Sequence, residues 1–113
     1  MTHPQRIQLH RTKGWRKPEG AIVVSRPSKW GNPFTFADAR GAGYEGTPAQ
    51  LRAMCVDEFR SWLRDPERVW SDGAVRAEWI LGHLDELRGH DLACWCPPDQ
   101  PCPGDVLLEM ANR

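Results

Sequence analysis

The chain has 113 residues, of which 40% are hydrophobic, and it holds six tryptophans. That is enough apolar volume for one core in a chain too short for two, and it excludes an intrinsically disordered segment. The formal net charge is zero, which argues against a uniformly basic nucleic-acid binder.

The charge is unevenly spread. Residues 1–30 carry seven basic side chains (Arg6, Arg11, Lys13, Arg16, Lys17, Arg26, Lys29) against Glu19 alone, a net +6 that residues 31–113 balance with −6. Such a split predicts either an anion-facing patch or a basic arm lying against an acidic helical face. No apolar run approaches the ~20 residues of a membrane span, and the polar start Met-Thr-His-Pro-Gln-Arg is unlike a secretory leader. A cytoplasmic protein with no membrane partner is the expectation. In a reducing compartment, clustered cysteines serve as metal ligands or reactive groups more often than as disulfides.

Arg6 to His10 alternates polar and apolar residues, as a short half-buried strand does. Thr12 to Gly20 reads as a loop anchored by Trp15. Ala21 to Val24 is an apolar run bounded by Gly20 and Pro27, the pattern of a strand buried on both faces and central in a sheet. Ser25 to Gly46 is too rich in glycine and proline for a long element, although Phe36 to Arg40 can form one helical turn. Thr47-Pro48 predicts a capped helix start, followed by Leu51, Met54, Cys55, Phe59, Trp62 and Leu63 on one apolar face, with Asp65-Pro66 ending it. After a loop around Asp72-Gly73, Val75 to Arg88 predicts a second amphipathic helix with Trp79, Ile80, His83, Leu84 and Leu87 inward, stopped by Gly89. Asp91 to Cys96 reads as a strand halted by Pro97-Pro98, and Asp105 to Asn112 as a last helix. The order β-β-α-α-β-α describes a small single α/β domain over residues 1–113, with residues 1–5 a flexible start. Its short, mostly parallel sheet has about three strands packed by three helices.

Two segments concentrate the chemistry, SRPSKWGNPF (Ser25 to Phe34) and CWCPPDQPC (Cys94 to Cys102). Each follows a strand, and ligands of open α/β sheets gather beyond the carboxyl ends of strands. If the two strands run parallel and adjacent, both loops build one site. In the first, Arg26 and Lys29 offer charge, Ser28 and Asn32 hydrogen bonds, Gly31 close backbone approach and Trp30 a stacking face. The alternative is that Trp30, Pro33 and Phe34 form a hydrophobic plug. In the second, strand alternation turns Cys94 and Cys96 to one face and Trp95 to the other. With Cys102 they make three ligands of a zinc site whose fourth is sought among His10, His83, His90 and Asp105. Packed reduced thiols, or a reactive thiol near the helix that begins at Gly104-Asp105, are the other readings. That helix start would also supply backbone donors to a phosphate. Cys94, Cys96, Cys102 and Asp105 are thus the candidate catalytic groups, with Asp105 also readable as a helix cap; Cys55 reads as a small buried hydrophobe. Neither a Walker loop nor a dinucleotide fingerprint is present, so ATP and NAD are not indicated.

The arm RIQLHRTKGWRKP, the block VVSRPSKWGNPF and the ending LRGHDLACWCPPDQPCPGDVLLEMAN together resemble the family labelled domain of unknown function 4326, over about residues 5–112. The resemblance implies a compact domain of phage or prophage origin, at work in the bacterial host cell, and supplies no activity. Members carry a histidine directly after the third cysteine, where this chain has Pro103. That departure weakens a Cys-Cys-Cys-His zinc set and any mechanism using a histidine there as proton carrier. Three functional expectations result: a domain handling a nucleotide-like phosphate ligand as binder or enzyme, a nucleic-acid-binding module using the basic arm, and a phage protein that docks on a host protein.

Overall fold

A computed structural model of the chain describes residues 3–69 and 73–113. The expected loop around Asp72-Gly73 therefore lies partly outside the described residues. The architecture is α/β. Strands β1 (Arg6–Gln8), β2 (Ile22–Val23) and β3 (Leu92–Cys94) form a parallel sheet in the order β1-β3-β2. Registers pair Ile7 with Ala93 and Val23 with Ala93 on the two sides of β3. Backbone bonds extend both pairings: Leu92 N–H donates to Gln5 O at 3.0 Å, Leu9 N–H to Cys94 O at 2.7 Å, and Val24 N–H to Ala93 O at 2.9 Å.

The central strand is β3, not the Ala21 to Val24 run. Leu92, Ala93 and Cys94 are all buried, whereas β2 is an edge strand with Ile22 half-buried and Val23 exposed. Burial on both faces shows in β3 over only three residues, which the longer apolar run at 21–24 outweighs on hydropathy alone.

The described residues form five helices: α1 (Phe36–Gly41), α2 (Pro48–Arg64), α3 (Pro66–Val69), α4 (Ala74–Gly82) and α5 (Pro103–Ala111). Both α1 and α2 begin with reciprocal capping boxes, Thr35 with Asp38 and Thr47 with Gln50. Helix α2 packs against α1, α4 and α5, while α5 lies on β3 and β1. The core between them is built from Val24, Phe59, Trp62, Ile80, Leu92 and Leu107.

The predicted helix 75–88 is shorter. It stops at Gly82, where His83 stacks on Trp79 at 4.2 Å and its Nδ1 lies 2.6 Å from the Trp79 carbonyl oxygen. A 3₁₀ turn over Leu84–Glu86 then carries Leu87 into the core, and Gly89 turns the chain with φ +80°. No helix among the described residues is long and apolar enough to cross a membrane.

Candidate functional site

All three strands run parallel, so their carboxyl ends share one edge of the sheet. The loops after β2 and β3 meet there. A cleft of about 190 Å³ is walled by Ser25, Arg26 and Asn32 on one side and Cys94, Trp95, Cys96 and Cys102 on the other. A second hollow of about 230 Å³ shares Arg26, Asn32, Trp95, Cys96 and Pro103 with it. Each alone is smaller than the ~300–1,000 Å³ typical of small-molecule sites, and the shared lining sets the two side by side. A larger groove of about 440 Å³ runs between α1 and α2, but Asp38, Asp57 and Glu58 line it and would repel an anion.

Each loop is held by an arginine from elsewhere in the fold. Arg6 of β1, whose side chain is only 10% exposed, donates through Nη2 to the carbonyls of Pro97 (3.1 Å), Pro98 (2.8 Å) and Gln100 (3.0 Å). Its Nε lies 3.2 Å from Asp105 Oδ1. Arg76 of α4 donates to the Gly31 carbonyl at 2.7 Å. Two successive turns, Ser28 N–H to Ser25 O and Gly31 N–H to Ser28 O, fold the first loop, which contains a cis Arg26-Pro27 peptide bond. Asn32 fastens it to α2, donating to Cys55 O at 3.0 Å and accepting from Phe34 N–H at 2.9 Å. Gly31 is required by space: a Cβ there would stand 2.8 Å from Arg26 Cγ and 3.0 Å from Arg26 Cα.

The expected ligand residues of SRPSKWGNPF separate into two sets. Arg26 and Asn32 face the cleft. Trp30 does not; it is 8% exposed in the core, its ring 5.0 Å from that of Trp79, and so presents no stacking face. Lys29 lies over Trp79 at 5.2 Å, and Ser28 and Gly31 serve the loop's own turns. The exposed ring on the cleft wall is that of Trp95, 44% exposed, with the Arg11 guanidinium 4.8 Å from its ring centroid. The same alternation that turns Cys94 and Cys96 inward turns Trp95 out. Arg26 and Arg11 make no ion pair with any described acidic residue.

The sulfurs of Cys94, Cys96 and Cys102 lie within 4.8 Å of one another, and Cys94 Sγ and Cys102 Sγ are 3.0 Å apart. Cys102 is the N-cap of α5, its sulfur accepting the Gly104 N–H at 3.3 Å. Asp105 is therefore not the cap; it stands in the first turn, paired with Arg6. Nor does α5 offer free amides to a phosphate. Pro103 has none, Gly104 N–H goes to the Cys102 sulfur, and Asp105 N–H goes to Cys102 O. Its contribution is the helix dipole alone.

The three thiols titrate as a unit. Hydrogen bonds from Cys102 and then Cys96, with the pull of Arg6 behind them, lower the Cys94 pKa to about 3. The same shared protons raise Cys96, chiefly through Cys102, and Cys102, chiefly through Cys94, above the ordinary thiol range. Among the described residues no histidine or carboxylate joins this group. His83 stacks on Trp79, His10 packs edge-on to Trp15, and His90 Nδ1 lies 2.9 Å from Gly20 O. Cys55 is buried in α2, and burial pushes its thiol up.

No solved structure matches the chain. It is 30% identical over 98 residues, 86% of this chain and 72% of the relative, to an uncharacterized 12.4 kDa protein encoded in the nrdA-td intergenic region of Enterobacteria phage T4. The family model described as "Domain of unknown function (DUF4326)" matches residues 7–113, a span that holds the cleft walls, the thiol triad and all but the first residue of β1, and the chain belongs to that family.

Proposed function

We propose that the cleft binds a small phosphate-bearing, nucleotide-like ligand. The observation that carries this reading is an arginine with no acidic partner among the described residues, Arg26, facing the same cleft as an exposed tryptophan, Trp95. Arg26 takes the phosphate, as a planar guanidinium suits paired oxygens, and Trp95 takes the base on its ring. Arg11, whose guanidinium lies over the Trp95 ring, adds a second positive charge next to it. In this reading Cys96, the half-buried thiol of the triad, is the group nearest to solvent that the far end of the ligand meets. A reaction at that end, on a base or sugar, is the enzymatic form of the proposal.

Thermal unfolding in a panel of nucleotides, nucleosides and ADP-ribose tests it. A ligand at 100 times its Kd stabilises the protein by about 2.7 kcal/mol. Nucleotides are expected to raise Tm, nucleosides to do so less, and Arg26→Ala to abolish the difference. An unchanged Tm across the panel overturns the reading.

Arg11 stacked on an exposed Trp95 supports a second reading, in which the same rim holds single-stranded nucleic acid. Its signature is affinity that falls with salt, with a slope set by the phosphates contacted. Binding of oligonucleotides without any response to mononucleotides selects this reading over the first.

A further inference from the structure

We propose that Cys94, Cys96 and Cys102 bind one Zn²⁺ ion as a three-thiolate site whose fourth coordination position opens into the cleft walled by Arg26 and Trp95. This goes beyond the nucleotide reading, because the metal needs no nucleotide to bind.

The geometry fits a single ion. Zn–S bonds of about 2.3 Å in a tetrahedron set sulfurs about 3.8 Å apart. The three Sγ atoms already lie within 4.8 Å of one another. Cys94 and Cys102, at 3.0 Å, have to open by less than ~1 Å to reach that spacing.

The supports are rigid on each side. Cys94 ends the central strand, Cys96 follows two residues on, and Cys102 caps α5. The intervening loop is gripped by Arg6 at three carbonyls. Little ordering is therefore left for the metal to impose.

Charge and ligand type point the same way. Three thiolates around Zn²⁺ leave one negative charge, which the α5 dipole and the nearby Arg6 guanidinium offset. The Gly104 N–H already donates to the Cys102 sulfur, the outer hydrogen bond that orients a metal thiolate. An all-sulfur set is too soft for Mg²⁺ or Ca²⁺ and suits zinc.

Closed structural zinc sites use four protein ligands, whereas three with an open position is the arrangement of reactive sites. All three cysteines wall the same cleft. The fourth position would thus take water or an anionic atom of whatever the cleft holds.

Metal titration of the reduced protein, freed of metal by a chelator, tests the site. One Co²⁺ per chain is expected, with a sulfur-to-cobalt charge-transfer band that one equivalent of Zn²⁺ removes. Cys96→Ser alters a half-buried side chain and should weaken zinc binding by more than the roughly 100-fold that outer-shell losses cost. Cys55→Ala should leave it unchanged. A wild-type protein that shows no charge-transfer band, or a Cys96→Ser protein that binds zinc as tightly as wild type, overturns the proposal. The cobalt spectrum of the wild type decides the matter even if the serine variant fails to fold.

Discussion

Arg6 and Arg76 each reach from a regular element to the carbonyl groups of a loop that another part of the chain provides. Arginine suits this task because its planar fork carries five donors and no acceptor, so one side chain can satisfy several carbonyls at once. Arg6 is the more consequential of the two: it meets three carbonyls and Asp105 from an almost fully buried position. Replacing it with alanine orphans those acceptors and should cost about 3 kcal/mol. Arg6→Lys keeps the charge but loses the fork, so it should recover only part of that stability. Urea unfolding of both variants, read at the midpoint with the slope unchanged, checks the expectation. A loss below about 1 kcal/mol for the alanine variant would show that water replaces the fork at no net cost. Nothing in the sequence marks this role. In Arg6-Ile7-Gln8 an arginine at an alternating position reads as a solvated outer face, and strand periodicity cannot report that a loop ninety residues later closes over it.

Helix α2 was legible because its signals are local. Thr47, Pro48 and Gln50 form the cap within four residues, and Leu51, Cys55, Phe59, Trp62 and Leu63 recur at helical spacing and are buried. Thr47→Ala should remove about 1 kcal/mol. Because the cap lies outside the cleft walls, the metal and nucleotide responses of that variant should match wild type. A Tm shift accompanied by altered zinc affinity would show that α2 transmits strain to the loop through the Asn32 to Cys55 bond. Strand order was not legible in the same way. Centrality belongs to pairings across the chain, and the β-branched run at 21–24 outweighs the short Leu92-Ala93-Cys94 triplet in any window-based reading. The break at Gly82 is likewise tertiary: the apolar spacing continues to Leu87, but His83 turns back onto Trp79 and the chain tightens. For the site, the two loop segments and the three cysteines could be read from composition and spacing. That Trp30 is buried while Trp95 is exposed was not legible, since the burial of Trp30 depends on packing against Trp79, a contact between distant residues.

At the scale of the molecule, one edge of a three-stranded parallel sheet gathers chain from both ends of the sequence. The N-terminal strand is therefore more than a basic arm. It closes one side of β3 through Leu92 N–H to Gln5 O and Leu9 N–H to Cys94 O, and it delivers Arg6 to the thiol-bearing loop. Truncation separates these roles from mere length. A chain beginning at Gln5 keeps every one of those bonds, and its stability should stay within about 0.5 kcal/mol of wild type. A chain beginning at His10 loses the strand, the Leu9 bond and the clamp together. It leaves the backbone groups of Leu92 and Cys94 without partners in a buried strand, at a cost of about 1–3 kcal/mol for each orphaned group. Added to the loss of Arg6, that consumes much of the 5–15 kcal/mol by which domains of this kind are stable. The shorter chain should accordingly melt without a cooperative transition and bind no metal. If it instead unfolds cooperatively and still takes up one zinc, the triad is organised by β3 and α5 alone, and the basic N-terminus would have to be explained by an anion it meets outside the fold.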